Sequence, residues 1–132
     1  MRFLRICLVV ALGLTAACRR ETKRTIAMIP MGNAHQYWQS VHAGAVKAAR
    51  ELGVNVIWDG PPTETDFAGQ LKIVDTMINR HVDAIAVAPI DTTTLVNVVE
   101  RAGRENIPVV IFDSGIGTDQ FVAKIATDNY RA

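Results

Sequence analysis

The ten residues MGNAHQYWQS, Met31 to Ser40, crowd a histidine and two adjacent aromatics between an apolar run and a helix-like pattern. His35 can donate one hydrogen bond and accept another, while Tyr37 and Trp38 offer flat apolar rings that end in a polar group. Three further stretches open on aspartate directly after apolar runs: "DGPP" at Asp59, "DTTT" at Asp91 and "DSGIG" at Asp113. A carboxylate accepts hydrogen bonds from two or more hydroxyls at once. Carboxylates beside an aromatic pair suit a neutral polyol with one apolar face, which describes a sugar ring. Aspartate is also common where strands end and helices begin, so Asp91 is expected to cap and Asp59 to turn the chain. Asp113 differs. Gly115 and Gly117 follow it and no helical stripe does, so capping explains it poorly.

Other chemistries are poorly served. A dinucleotide site needs G-x-G-x-x-G straight after the first strand, and "PMGNAHQ" lacks it, as it lacks the Walker lysine loop. Ser114 does not sit in the nucleophile elbow G-x-S-x-G, and no histidine follows it in the chain. The three histidines, His35, His42 and His81, fall on different elements, which suggests no metal triad. No catalytic residue, metal or cofactor is expected, and the chain does not read as an enzyme. A nucleic-acid partner would need a basic face with interleaved aromatics, and none is found.

These residues need a scaffold, and the apolar pattern describes one. "TIAMIP" is a short apolar run, after which Trp38, Val41, Ala45, Ala48 and Leu52 recur at helical steps up to Gly53, a residue suited to a helix C-terminus. "VNVIW" reads as a second strand. Phe67, Leu71, Val74 and Ile78 form a second stripe with Thr65 or Asp66 as N-cap, followed by the strand "AIAVAPI". Leu95, Val98 or Val99, and Ala102 form a third stripe before "PVVIF", and "FVAKIAT" is a looser fifth strand. Strands with little polar alternation are buried on both faces. Alternation of strand and helix over 132 residues predicts one α/β domain, a three-layer sandwich with a mostly parallel sheet. Ligands in such sheets bind beyond the carboxyl ends of the strands. All the candidate residues named above lie in the segments that follow strands.

The N-terminus reads differently. "MRFLR" carries two arginines, and "ICLVVALGLTAA" runs apolar for twelve residues before Cys18, too short to span a bilayer and well shaped for an export signal. "LTAAC" resembles a lipoprotein signal box in which Cys18 is acylated, although Leu14 sits one position early and Thr15 takes its usual place. The alternative is a plain signal peptide with Cys18 incidental. Residues 1–17 are thus expected to be removed and residues 18–24 to act as a tether to a membrane. Removal leaves twelve basic and 13 acidic residues. Since Cys7 lies in the signal, the mature fold has no pair of cysteines for a disulfide or a thiolate metal site.

Four segments carry a resemblance: "TIAMIPMGNAHQYWQSVHAGAVKAARELGVNVIWDGP", "INRHVDAIAVAPID", "NIPVVIFDSG" and "IATDNYRA". Together they are similar to the type I periplasmic sugar-binding proteins, the ribose/galactose-binding-like substrate-binding proteins of ABC importers, from about Lys23 to the end. The resemblance implies two α/β lobes that close about a hinge on a solute. It implies that His35 makes a polar sugar contact, that Tyr37 and Trp38 stack on the ring, and that Asp113 grips sugar hydroxyls. Ser114 stands where the ribose binders carry arginine, a departure that argues against ribose itself. Trp38 also shares a stripe with Val41 and Ala45, so it can face the core while Tyr37 stacks. The family continues past "TDNYRA" into a second lobe, so residues 25–132 are expected to form most of the first lobe only. The implied function is capture of a sugar or similar small polar solute for an ABC permease in the inner membrane, by an exported, lipid-anchored protein. The alternative is a sensor that presents the solute to a membrane receptor.

Overall fold

The computed structural model describes residues 22–128. The expected signal at 1–17, Cys18 and the last four residues of "IATDNYRA" lie outside the described residues. Within them the strands are β1 (Thr25–Ile29), β2 (Asn55–Trp58), β3 (Ala84–Val87), β4 (Val109–Phe112) and β5 (Ala123–Ile125). The helices are α1 (Gln36–Leu52), α2 (Phe67–Asn79) and α3 (Val96–Arg104), one between each pair of the first four strands. All strand pairs are parallel, in the order β2-β1-β3-β4-β5. The α/β architecture is therefore as the apolar pattern predicts.

Register divides the sheet into two unlike faces. Met28 pairs with Ala86, Ala86 with Val110 and Val110 with Ala123, so these residues share one side, and their chain neighbours share the other. On that other side Ala27, Ile29, Ile85, Val87, Val109 and Ile111 join Val74, Met77 and Ile78 of α2 and Val98, Val99 and Ala102 of α3 in one buried core. On the Met28 side only α1 packs, through Trp38 and Ala45 and against β2. Val110 and Phe112 there are half-buried, and Ile125 is 65% exposed. The three layers are α1, the sheet, and α2 with α3. One outer layer is thinner than the other.

Two stripes differ from their predicted phase. In α1 the buried line runs through Trp38 and Ala45 with Val46 and Ala49 half-buried, while Ala48 is exposed and Leu52 is 72% exposed. The helix packs chiefly against β2, and Leu52 lies on its solvent side. In α2 the face turns so that Gln70, Val74, Met77 and Ile78 are buried, leaving Phe67 and Leu71 exposed. Leu95, Val98, Val99 and Ala102 are all buried, so α3 keeps its predicted phase.

The helix ends obey local chemistry. Gly53 adopts φ 67° and its N–H reaches the Ala49 carbonyl, closing α1 in the left-handed conformation that glycine tolerates. Asp66 caps α2 by accepting from Gly69 N at 2.9 Å, and a Cβ at Gly69 would collide with that carboxylate. Asp91 caps a turn instead of a helix. Its Oδ1 accepts from the backbone N–H groups of Thr93 (2.7 Å) and Thr94 (2.6 Å), and its Oδ2 from the Thr94 hydroxyl (2.6 Å), while α3 starts later with no side-chain cap at Leu95. The Thr94 hydroxyl first, then these backbone donors, hold the Asp91 carboxyl down at about 2.

The phase change in α2 has a cause in Gln70, which is 1% exposed. Its amide nitrogen donates to the carbonyls of Pro30 (3.0 Å) and Ala88 (2.7 Å), and its amide oxygen accepts from Ile90 N (3.0 Å). Pro30 follows β1, and Ala88 and Ile90 follow β3. These two adjacent strands diverge there, and buried backbone groups beyond the ladder need partners. Gln70 supplies three.

Gln70→Leu keeps the volume and leaves those three groups bare, so unfolding by urea should show a loss of about 3 kcal/mol, each orphaned buried group costing roughly 1–3. A loss under about 1 kcal/mol would contradict the role assigned to this amide. Asp91 gives a pH test. Its folded pKa is depressed from 3.8, so its contribution is complete above that value and is lost as pH falls through about 2. The stability gap between the wild type and Asp91→Ala should close over that acid range, and a gap that stayed constant would be the contrary result.

Candidate functional site

The order β2-β1-β3-β4-β5 reverses direction between β1 and β3, the switch point at which open α/β sheets bind ligands. His35 ends the loop after β1. Its backbone is extended (φ −83°, ψ 137°), and its Nδ1 accepts from Tyr37 N at 3.1 Å, so the imidazole is itself the N-cap of α1. With Nδ1 accepting, a neutral ring carries its proton on Nε2, at the exposed side of the loop.

Tyr37 is the second residue of α1 and stays 48% exposed. Its hydroxyl donates to Asp113 Oδ1 at 2.9 Å, crossing over the end of β3 to reach the loop after β4. This hydrogen bond first, then partial burial and the carboxylate's charge, raise the phenol above its ordinary 10.0. Asp113 sits at φ 64°, a left-handed conformation that aspartate adopts more readily than most residues. Its N–H donates to Ile125 O (2.8 Å), which holds the turn against β5.

Trp38 behaves as a core residue. It is 2% exposed, and its ring packs edge-on against Tyr37 (4.8 Å, 71°) and Phe112 (6.2 Å, 74°). Its indole N–H donates to Glu64 Oε1 at 2.6 Å. Of the two positions open to Trp38, the structure adopts the buried one, which leaves the Tyr37 ring as the exposed aromatic surface. The Ser114 hydroxyl turns inward and donates to Pro89 O at 2.7 Å, tying the β4 loop to the β3 loop. The structure thus brings His35, Tyr37 and Asp113 to one edge, sets Trp38 beneath them and engages Ser114 with the backbone. Asp59 lies on the β2 loop with its N–H on Met28 O (3.2 Å), and Asp91 is committed to its own turn.

Sequence reasoning did not single out Asn33, Glu64 or Gln70. Asn33 donates to Gly60 O (2.6 Å), accepts from Trp58 Nε1 (3.0 Å), and its backbone N–H reaches Pro61 O (3.0 Å). It stitches the β1 loop to the β2 loop. Gly60 has no room for a side chain, because a Cβ would lie 2.5 Å from the Pro30 ring. The partners of Asn33 and Glu64 are 25 or more residues away in sequence, so no local spacing marks them. Gln70 did leave a trace, as the polar member of the alternative stripe Gln70, Val74, Met77 and Ile78.

The edge is a shelf with little depth. A recess of about 270 Å³ beside His35 is lined by Ala34, His35, Thr63 and Glu64. A larger groove, about 540 Å³, runs between α2 and α3 past Leu71 and Arg101, on the side of the sheet opposite the Tyr37 ring. No group of three or more metal-ligating side chains occurs among the described residues, and His42 stacks on Trp58 (4.6 Å, 18°) instead. The arrangement can place an aromatic face and a carboxylate against a polar ring.

Residues 26–132 match the model of the periplasmic binding protein domain. The chain is 31% identical to the ribose import binding protein of Escherichia coli over 121 residues, 91% of this chain and 40% of that protein. A carbohydrate transporter solute-binding protein from Agrobacterium radiobacter, solved in complex with D-arabinose, superposes with a TM-score of 0.80 at 33% identity, over 84% of this chain and 37% of that one. An ABC transporter solute-binding protein from Agrobacterium vitis, solved with bound D-fucose, gives 0.77 at 37% identity, over 81% and 38%. This chain spans about 40% of the length of the curated relatives that it matches across most of its own length. By sequence and by fold, the chain belongs to the periplasmic binding protein family.

Proposed function

We propose that this chain supplies one wall of a sugar-binding cleft in the solute-capturing component of an ABC-type importer. The observation that carries the reading is the Tyr37–Asp113 pair, an exposed ring and a carboxylate held 2.9 Å from its hydroxyl at the switch-point edge. The ring offers an apolar face to a pyranose or furanose, and the carboxylate accepts its hydroxyls. His35 Nε2 adds a donor at the rim. Relatives named for ribose, or solved with D-arabinose and D-fucose, support a neutral monosaccharide as the solute class. Ser114, with its hydroxyl on Pro89 O, brings no cation to the site, which argues for a ligand other than ribose. The same reading has the protein exported by residues 1–17 and held at a membrane by a lipid on Cys18.

Ligand sites bury most of their ligand's surface, and an open shelf does not. The 132-residue chain alone should therefore bind D-ribose, D-arabinose or D-fucose with millimolar or weaker affinity by calorimetry. Micromolar binding would show that one wall suffices. Grafted in place of the matching segment of the Escherichia coli ribose import binding protein, the chain should bind a neutral monosaccharide tightly. Asp113→Ala in that chimera should weaken binding about a hundredfold, as expected for two hydrogen bonds to a charged acceptor. A folded chimera that binds no sugar would refute the reading. For the anchor, labelled palmitate should enter the wild-type chain in cells and be absent from Cys18→Ala.

A further inference from the structure

Asp113 is the group on which the reading above depends, yet one of its two oxygens is already occupied. Oδ1 accepts the Tyr37 hydroxyl, and among the described residues Oδ2 has no hydrogen-bond partner. The backbone beneath does not by itself hold the carboxylate. Asp113 is exposed, its φ of 64° places it at the tip of a tight turn, and Ser114 N closes that turn on Phe112 O at 2.7 Å. An exposed aspartate in such a turn is free to rotate about χ1 unless a side chain restrains it. Tyr37 is well fixed for that task. Its backbone N–H is held by His35 Nδ1, its ring rests edge-on against the buried Trp38, and the Trp38 indole is anchored on Glu64. A line of contacts therefore runs from the loop after β2, through α1, to the carboxylate after β4.

We infer that Tyr37 is a positioning residue for Asp113: its phenol locks the carboxylate so that Oδ2 is presented to the solute, and the pair forms an edge that only accepts hydrogen bonds. The inference rests on the sugar-binding reading and deepens it. The phenol proton is committed to Oδ1, so the phenol oxygen and both carboxylate oxygens offer lone pairs alone. Such an edge takes hydroxyls as donors and repels a solute that places a carboxylate there. Within the neutral-monosaccharide class proposed above, the pair favours a ligand that turns hydroxyl donors toward it over a uronate that turns its carboxylate there.

The raised phenol gives a readout that needs no sugar. In the 132-residue chain with ¹³C-labelled tyrosine, Tyr37 should titrate above its ordinary 10.0 and fall back toward it in Asp113→Ala. Tyr37 titration that Asp113→Ala leaves unmoved would overturn the inference. For the solute, amide shifts of Asp113 and Ser114 are followed in the chimera described above as D-fucose, D-arabinose and D-galacturonate are added. Tyr37→Phe keeps the ring and should weaken binding of the neutral sugars about tenfold, as expected for one hydrogen bond to a charged group. Circular dichroism of the same samples confirms that the variant is folded, and Tyr37→Trp, which also keeps a stacking ring but lacks the phenol, should show the same loss. D-galacturonate should bind at least tenfold more weakly than the neutral sugars. Neutral-sugar binding by the unsubstituted chimera that Tyr37→Phe does not weaken, or galacturonate bound as well as its neutral rivals, overturns this inference and leaves the sugar-binding reading intact. No shift with any neutral sugar in the folded, unsubstituted chimera overturns both.

Discussion

A parallel sheet that reverses its winding must let two adjacent strands part company, and their backbone groups lose ladder partners where they diverge. In this protein the gap lies past Ile29 and Val87, and the buried carboxamide of Gln70 fills it with three hydrogen bonds. An amide suits the place because it both donates and accepts, whereas a carboxylate would only accept and a lysine would only donate. Everything at the functional edge is built on that junction. The loop after β1 carries His35 into α1, and the loop after β3 carries Pro89, on which Ser114 rests.

The rim is held by side chains that hydrogen-bond across it. Asn33 joins the first loop to the second and Ser114 joins the fourth to the third, both through backbone carbonyls, and Tyr37 joins the first turn of α1 to the Asp113 carboxylate of the fourth loop. Loops tied in this way are stiffer than their irregular backbone suggests, which is what a binding edge requires if a solute is to be met by preset geometry. The Trp38 indole serves the same purpose from below. A buried ring that supports an exposed one lets Tyr37 present a face without collapsing onto the sheet.

The two faces of the sheet carry different burdens. The face under α2 and α3 holds nearly all of the fully buried aliphatic residues, and the α1 face leaves Phe112 and Val110 half-covered and Ile125 largely in solvent. Strand composition alone did not separate them, since β1 to β4 are largely apolar on both sides, as parallel strands are. The predicted stripes of α1 and α2 were out of phase for a related reason. Leu52 and Leu71 are large apolar residues that fall on the predicted stripes of their helices. Burial followed the position of each helix over the sheet, however, and that position placed Gln70 inside and both leucines outside.

Strand–helix alternation, the turn residues after each strand and the glycine and aspartate caps are local signals, each readable within a few residues because the physics behind them acts over a single turn. They were enough to establish a parallel α/β lobe and to bring His35, Tyr37 and Asp113 to the same edge. Whether Trp38 faced core or cleft, which way the Ser114 hydroxyl pointed, and that Tyr37 reached Asp113 were matters for the folded molecule alone. Those contacts join residues 25 to 76 positions apart, and only the strand order and helix placement decide which groups meet.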